Sequence, residues 1–178
     1  MNIWLTADTH FGHKNIIKYC ERPFKTVEEM DTTLIKNWNK LVDEQDLVYH
    51  LGDFSMSKRS GDIKRYREKL SGKIFLIKGN HDRLRREDYE LFEGVENIKT
   101  IRYNEYKIVL CHYAMRVWDG SFHGSLHFFG HSHNRLERHS HSCLEQHGRS
   151  CDVGVDANNF APMAIEEGIL KVNQYPVV

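Results

Sequence analysis

Five short stretches of the chain hold most of its chemically useful side chains. "ADTH" supplies Asp8 and His10, "LGD" supplies Asp53, "KGNHD" supplies Asn80, His81 and Asp82, "LCHY" supplies His112, and "GHSH" supplies His131 and His133. The donors are carboxylate oxygens, imidazole nitrogens and an amide oxygen, with no thiolate among them. Such a mixed set suits Mn²⁺, Fe²⁺ or Zn²⁺. There are more ligands than one coordination sphere needs. Two ions about 3.5–4 Å apart can share a bridging carboxylate and hydroxide and clamp a phosphate. Taken singly, each stretch has a plainer explanation. Asp8 could cap a helix, Gly52-Asp53 and Gly79-Asn80 are common turn pairs, and a lone strand histidine such as His112 usually serves a hydrogen-bonded core. Their joint occurrence in this order is hard to explain as turns alone.

Every stretch follows an apolar run that reads as a strand. The runs are "NIWLTA" (2–7), "DLVYHLGD" (46–53), "KIFLIKGNHD" (73–82), the second half of "NIKTIRYNEYKIVLCHY" (97–113), and "LHFFGHSHN". Ligands of α/β sheets bind outside the carboxyl ends of the strands, so these turns could meet at one edge. In an extended backbone, residues two apart share a face. His131 and His133 are therefore expected on one side, with Ser132 pointing away and free to vary. Between the strands, "TVEEMDTTLIKNWNKLV" (26–42) is the clearest helix. Thr26 and Glu29 are placed for a capping box, and Val27, Met30, Leu34, Trp38 and Leu41 recur at helical spacing. Shorter helices are expected at "KNIIKYC", over 61–72, at "EDYELF", and from Pro162 through "PMAIEEGILKV". "SCDVGVDANN" reads as one more strand. The alternation predicts mixed sheets with covering helices in one domain, 1–178.

Composition excludes several classes. Lysine plus arginine equals aspartate plus glutamate at 25 each, so nothing global favours nucleic acid or an anionic membrane. Apolar residues at 40% and charged residues at 28% describe an ordinary globular chain. The N-terminus lacks a basic segment followed by an apolar stretch, so no signal peptide is expected. Cysteines 20, 111, 143 and 151 form no C-x-x-C pair. Reduced thiols and a cytoplasmic location are the expectation.

The order Asp-x-His, Gly-Asp, Gly-Asn-His-Asp, His, Gly-His-x-His resembles the calcineurin-like metallophosphoesterase family, from residue 8 to residue 133. "VGVDANNFAP" is similar to the ending of small bacterial and phage-type members. The resemblance implies a four-layer αββα sandwich. It also implies that Asp8, His10 and His133 bind one ion, that Asn80, His112 and His131 bind a second, and that Asp53 bridges them. The ions would be two divalent metals, Mn²⁺ first, with Fe²⁺, Zn²⁺ and Ni²⁺ as the other candidates. A metal-bound hydroxide would attack phosphorus. His81 would bind no ion and would act on the phosphoryl or leaving oxygen, with Asp53 and Asn80 beside it in the catalytic set. Asp82 would orient the turn or His81.

Around this set, His13 either reaches the substrate or begins a helix. Arg22, Arg83 and Arg116 are candidate phosphate contacts, since guanidinium forks fit phosphate oxygens. The charges of helix 61–72 read as a solvated face. Segment 138–151 holds His139, His141, Cys143, His147 and Cys151, whose spacing fits no zinc template. "GHSHN" has Asn134 where the nucleophile elbow of serine hydrolases needs glycine. The expected function is a phosphoesterase acting on a small phosphodiester or phosphomonoester, with a lean to diesters. A non-catalytic metal-binding scaffold of the same fold and a nuclease for short oligonucleotides are the alternatives.

Overall fold

The structure, a computed structural model, describes residues 1–56, 62–138, 148–175 and 177. The first sheet is built from β1 (Ile3–Thr6), β2 (Leu47–His50), β3 (Lys73–Ile77), β4 (Gly94–Glu96) and β9 (Met163–Ala164), in the order β4-β3-β2-β1-β9. β1 to β4 run parallel, and β9 pairs antiparallel with β1. The second sheet is built from β5 (Ile98–Tyr103), β6 (Tyr106–Cys111), β7 (Leu126–Phe129) and β8 (Ser150–Asp152), in that order. β5 and β6 form the expected hairpin, and β6, β7 and β8 run parallel.

Alternation along the strands divides the interior. Leu5, Tyr49, Leu51, Ile77, Ile108, Leu110, Leu126 and Phe128 fill one core between the sheets. Val48, Ile74 and Leu76 face the other way, onto the helices. There they meet α1 (Lys14–Tyr19), α2 (Val27–Leu41) and α3 (Asp62–Arg67) through Ile16, Met30, Leu34, Trp38, Ile63 and Tyr66. α4 (Arg135–Arg138) is a single turn, and α5 (Ile165–Asn173) seats Ile165, Ile169 and Val172 in the core between the sheets. The fold is thus two mixed β-sheets flanked by helices.

The differences from the expected elements have local causes. α2 opens as its capping residues dictate, with Glu29 N–H donating to Thr26 Oγ1 at 3.2 Å. The returning Glu29 carboxylate takes Lys25 N–H, one residue earlier than in a capping box. The last helix begins at Ile165 because Met163–Ala164 is used as a strand against β1. "EDYELF" forms a 3₁₀ turn, Arg86–Leu91, and β4 is too short to show alternation in sequence. The charged helix is not wholly solvated. Arg67 donates to the carbonyls of Leu70, Gly72 and Leu91 at 2.7–3.1 Å. Cys20, Cys111 and Cys151 form no disulfide among the described residues, and none of their helices is long and apolar enough to cross a membrane.

At the amino ends of β1 and β2, Asp46 accepts Asn2 N–H at 2.6 Å, the Trp4 indole at 3.0 Å and Asp43 N–H at 3.2 Å. These bonds, Asn2 first, hold its carboxyl at about 2. An unfolded aspartate titrates near about 3.9. The stabilisation from Asp46 is therefore complete above about pH 4 and is lost as pH falls through about 2. Asp46→Asn should cost about 1–2 kcal/mol near neutral pH. In urea titrations at stepped pH, its deficit against wild type should shrink as the pH approaches about 2.

Candidate metal centre

The carboxyl ends of β1, β2 and β3 meet those of β6, β7 and β8 along one edge. Val155 N–H reaches Ala7 O at 3.0 Å, Gly130 N–H reaches His112 O at 3.0 Å, and Ala7 bridges Gly154 in parallel. The strands converge so closely that turns need glycine. A Cβ on Gly130 would stand 2.5 Å from Ala7 Cβ and 2.8 Å from Asp8 Oδ2, and one on Gly52 (φ +93°) would stand 2.5 Å from His112 Nδ1. Only a residue without Cβ permits such approaches.

Two groups of ligand atoms collect at the edge, and a third, Cys20, His133 and Asp156, shares His133 with the first. Asp8, His10 and His133 offer atoms within 4.8 Å of one another, and Asp53, His112 and His131 do the same. Asp53 stands between them: its Oδ2 is 3.5 Å from His10 Nε2 and 3.5 Å from His112 Nε2. Asn80 Oδ1 lies 3.1 Å from His112 Nε2. His81 is in neither group. Its ring is edge-on to His10 at 5.3 Å, and its N–H donates to Asp53 Oδ1 at 2.9 Å.

The backbone aiming these side chains is unusual. Asp8, His10, Asp53, His131 and His133 all have φ between 49° and 65°. That left-handed region is sparse for residues other than glycine and tends to gather at functional sites. It corrects the extended-strand reasoning. β7 stops at Phe129, and the two histidines beyond it sit in a left-handed turn that sends them to different groups. Ser132 is not free either: its hydroxyl donates to the Asp152 carboxylate, which also takes Asn134 N–H at 3.0 Å and Gly154 N–H at 2.7 Å.

Electrostatics favour a cation. Burial, above all, raises the Asp8 carboxyl, and the nearby Asp152 and Asp53 charges add to it. Burial, followed by His133 and Arg22, lowers His10 far below an ordinary imidazole. Burial works against a proton on His133, but Asp156, Cys20 and Asp8 outweigh it and hold the ring at about 10. Asp8 Oδ1 and His10 Nε2 are buried with no hydrogen-bond partner among the described residues. His112 Nδ1 must donate to Leu51 O at 2.7 Å, so in the neutral ring the Nε2 lone pair faces Asn80 and Asp53. His131 N–H reaches Asp8 Oδ2 at 2.8 Å, but Asp8 Oδ1 and His10 Nε2 are left without partners, a cost that a bound cation would relieve. The residues fit divalent metals.

Other charged groups hold this set from behind. Asp82 accepts the N–H groups of Asp53, Phe54 and Gly79 at 2.8, 2.9 and 2.8 Å, fastening the turn after β2 to the turn after β3. Arg22 is corrected as a phosphate contact. Its guanidinium is buried on Asp156 and on the carbonyls of Asp8 and Thr9, with no fork left for a ligand. Asp156, which accepts His133 Nδ1–H at 2.7 Å, was missed in sequence along with Asp152. Both sit in the "SCDVGVDANN" stretch, whose turn-forming residues hide their roles. His13 takes the second of its anticipated places, at the start of a helix. It precedes α1 as N-cap, and its Nδ1 lies 3.4 Å from His10 Nδ1. Arg83 and Arg116 are exposed. His139, His141, Cys143 and His147 lie outside the described residues.

The chain is similar to known proteins in sequence and in fold. A model of the calcineurin-like phosphoesterase superfamily domain matches residues 1–150. The uncharacterized protein MJ1445 of Methanocaldococcus jannaschii is 39% identical over 166 residues, covering 92% of this chain and 87% of its own. The crystal structure of AQ665 of Aquifex aeolicus, a protein of unknown function, superposes with a TM-score of 0.70 at 24% identity, over 93% of this chain and 96% of that one. A structure described as a novel archaeal phosphodiesterase superposes with a TM-score of 0.50 at 18% identity, over 86% and 82%. These two likenesses are of fold.

Asp82→Ala would leave three N–H donors unpaired, those of Asp53 and Phe54 buried and that of Gly79 half-buried. It should destabilise the protein by about 3 kcal/mol or more in urea unfolding. Asp82→Asn keeps one acceptor oxygen and should cost less.

Proposed function

Since the chain belongs to the calcineurin-like phosphoesterase superfamily, we propose that it is a phosphoesterase whose centre holds two divalent metal ions at the meeting edge of its sheets. The observation that carries this reading is Asp53, whose Oδ2 is equidistant, at 3.5 Å, from an imidazole nitrogen of each ligand group. Asp8, His10 and His133 would hold one ion, Asn80, His112 and His131 the other, and Asp53 would touch both. Bound ions supply positive charge that acidifies water and neutralises phosphoryl oxygens. The nitrogen and oxygen donor set favours Mn²⁺ or a neighbour in its series, Fe²⁺, Zn²⁺ or Ni²⁺.

The protein's own share is orientation and proton handling. The bond from His81 N–H to Asp53 Oδ1 ties His81 to the bridging carboxylate. Its half-exposed ring is placed to hydrogen-bond a phosphoryl oxygen or to protonate the leaving oxygen. His13 lines the same side against His10. The exposed Arg83 and Arg116 are the arginines left to meet the phosphate's substituents. We read residues 1–178 as one cytoplasmic domain acting on a small phosphoester, a diester in preference.

Asp53→Asn should lower both metal content and turnover more than any other single ligand change, measured by elemental analysis after Mn²⁺ loading. Near-normal metal and activity would remove Asp53 from the bridging position. His81→Ala should keep its metal and lose about 10²–10⁴-fold in rate. The loss should be greater for an alkyl phosphodiester than for bis-p-nitrophenyl phosphate, whose leaving group needs little protonation. An equal loss on both would move His81 to the phosphoryl oxygens, and no loss would favour a scaffold.

A further inference from the structure

Arg22 and Asp156 stand 134 positions apart in sequence, yet their side chains pair in the interior, 0% and 6% exposed. Nε and Nη2 of the guanidinium address the two carboxylate oxygens at 2.8 and 2.7 Å, a fork-to-fork match. Nη2 also donates to Asp8 O at 2.7 Å and Nη1 to Thr9 O at 3.2 Å, which fixes the backbone carrying Asp8 and His10. From the other side, Asp156 Oδ2 accepts His133 Nδ1–H, leaving the opposite ring nitrogen for the Asp8–His10 pocket. One ion pair thus reaches all three members of one ligand group.

The other group is held by different means. His112 is oriented by a backbone carbonyl, Leu51 O, and Asp53 through the Asp82 carboxylate. Asp156 also lies outside residues 1–150, the span matched by the superfamily domain. Carboxylates that hydrogen-bond a ligating histidine fix its tautomer and raise its basicity, and their loss typically weakens metal affinity about 10–100-fold.

We propose that Arg22 and Asp156 are a positioning couple that sets the metal affinity of the Asp8–His10–His133 half of the centre separately from the other half. The inference rests on the binuclear reading above. The test is Mn²⁺ binding to the metal-stripped full chain, followed by calorimetry and by electron paramagnetic resonance. Wild type should bind two ions. The double variant Arg22→Gln/Asp156→Asn removes both buried charges together and keeps hydrogen-bonding groups. It should retain its far-ultraviolet circular dichroism and one ion at unchanged affinity, while the other weakens about 10–100-fold. Arg22→Lys keeps the charge without the fork and should fall between, which preserves the test if the double variant does not fold. His112→Ala should give the mirror image, weakening the ion that the double variant keeps. Equal weakening of both ions in the Arg22 variants, or of neither, overturns the couple and leaves the binuclear reading standing. A wild-type chain that takes up no Mn²⁺ overturns both.

Discussion

The centre is governed by a shortage of donors. Asp8, Asp53, His10 and His112 are buried at the junction of the sheets, and their free atoms are almost all acceptors. At Asp46 and Asp82, by contrast, the carboxylates meet several N–H donors each. At the junction His131 N–H and His81 N–H reach one oxygen each of Asp8 and Asp53, and Asp8 Oδ1 and His10 Nε2 stay unpartnered among the described residues. A bound cation would complete the arrangement, and the neighbouring turns hold the acceptors where one could sit. The glycine turns let the strand ends approach, and the left-handed residues point the side chains inward.

A second set of carboxylates does the holding. Asp82 gathers three N–H groups from two turns, Asp152 gathers the turn that bears His131 and His133, and Asp156 joins His133 to Arg22. These turns lie outside the named helices and strands; residues 8–11 keep backbone bonds to 52–54, and short acidic side chains add to them. Each can accept several bonds at once and reaches little farther than the backbone itself. Asp152 adds its charge beside Asp8, and the buried Arg22 pairs with Asp156.

How much of this could be read from sequence depends on range. The candidate ligand residues were legible because each is of a metal-binding type set just after an apolar run, a pattern contained within a few positions. The helix from Thr26 was legible for the same reason. Asp156 and Arg22 were not, because their meaning exists only when residues 134 positions apart are brought together. β4 and β9 were missed because three or two residues cannot display alternation. Histidines were the hardest to sort. His50 and His127 also lie on strands, but burial lowers them to about 3 and about 4, and they serve as neutral hydrogen-bonding core residues. His50 contacts Thr9 Oγ1, and His127 contacts the backbone of Val109 and Met115. Residue type alone does not separate these two from His112.

The left-handed backbone at Asp8, His10, Asp53, His131 and His133 also bounds what evolution could substitute there. Glycine enters that region freely, and asparagine, aspartate and histidine enter it more readily than other side chains, whereas β-branched residues are strongly disfavoured. The alphabet that the peptide geometry admits therefore overlaps closely with the oxygen and nitrogen donors the centre uses. The backbone conformation by itself therefore narrows the side chains that these five positions tolerate, before any demand of chemistry is added.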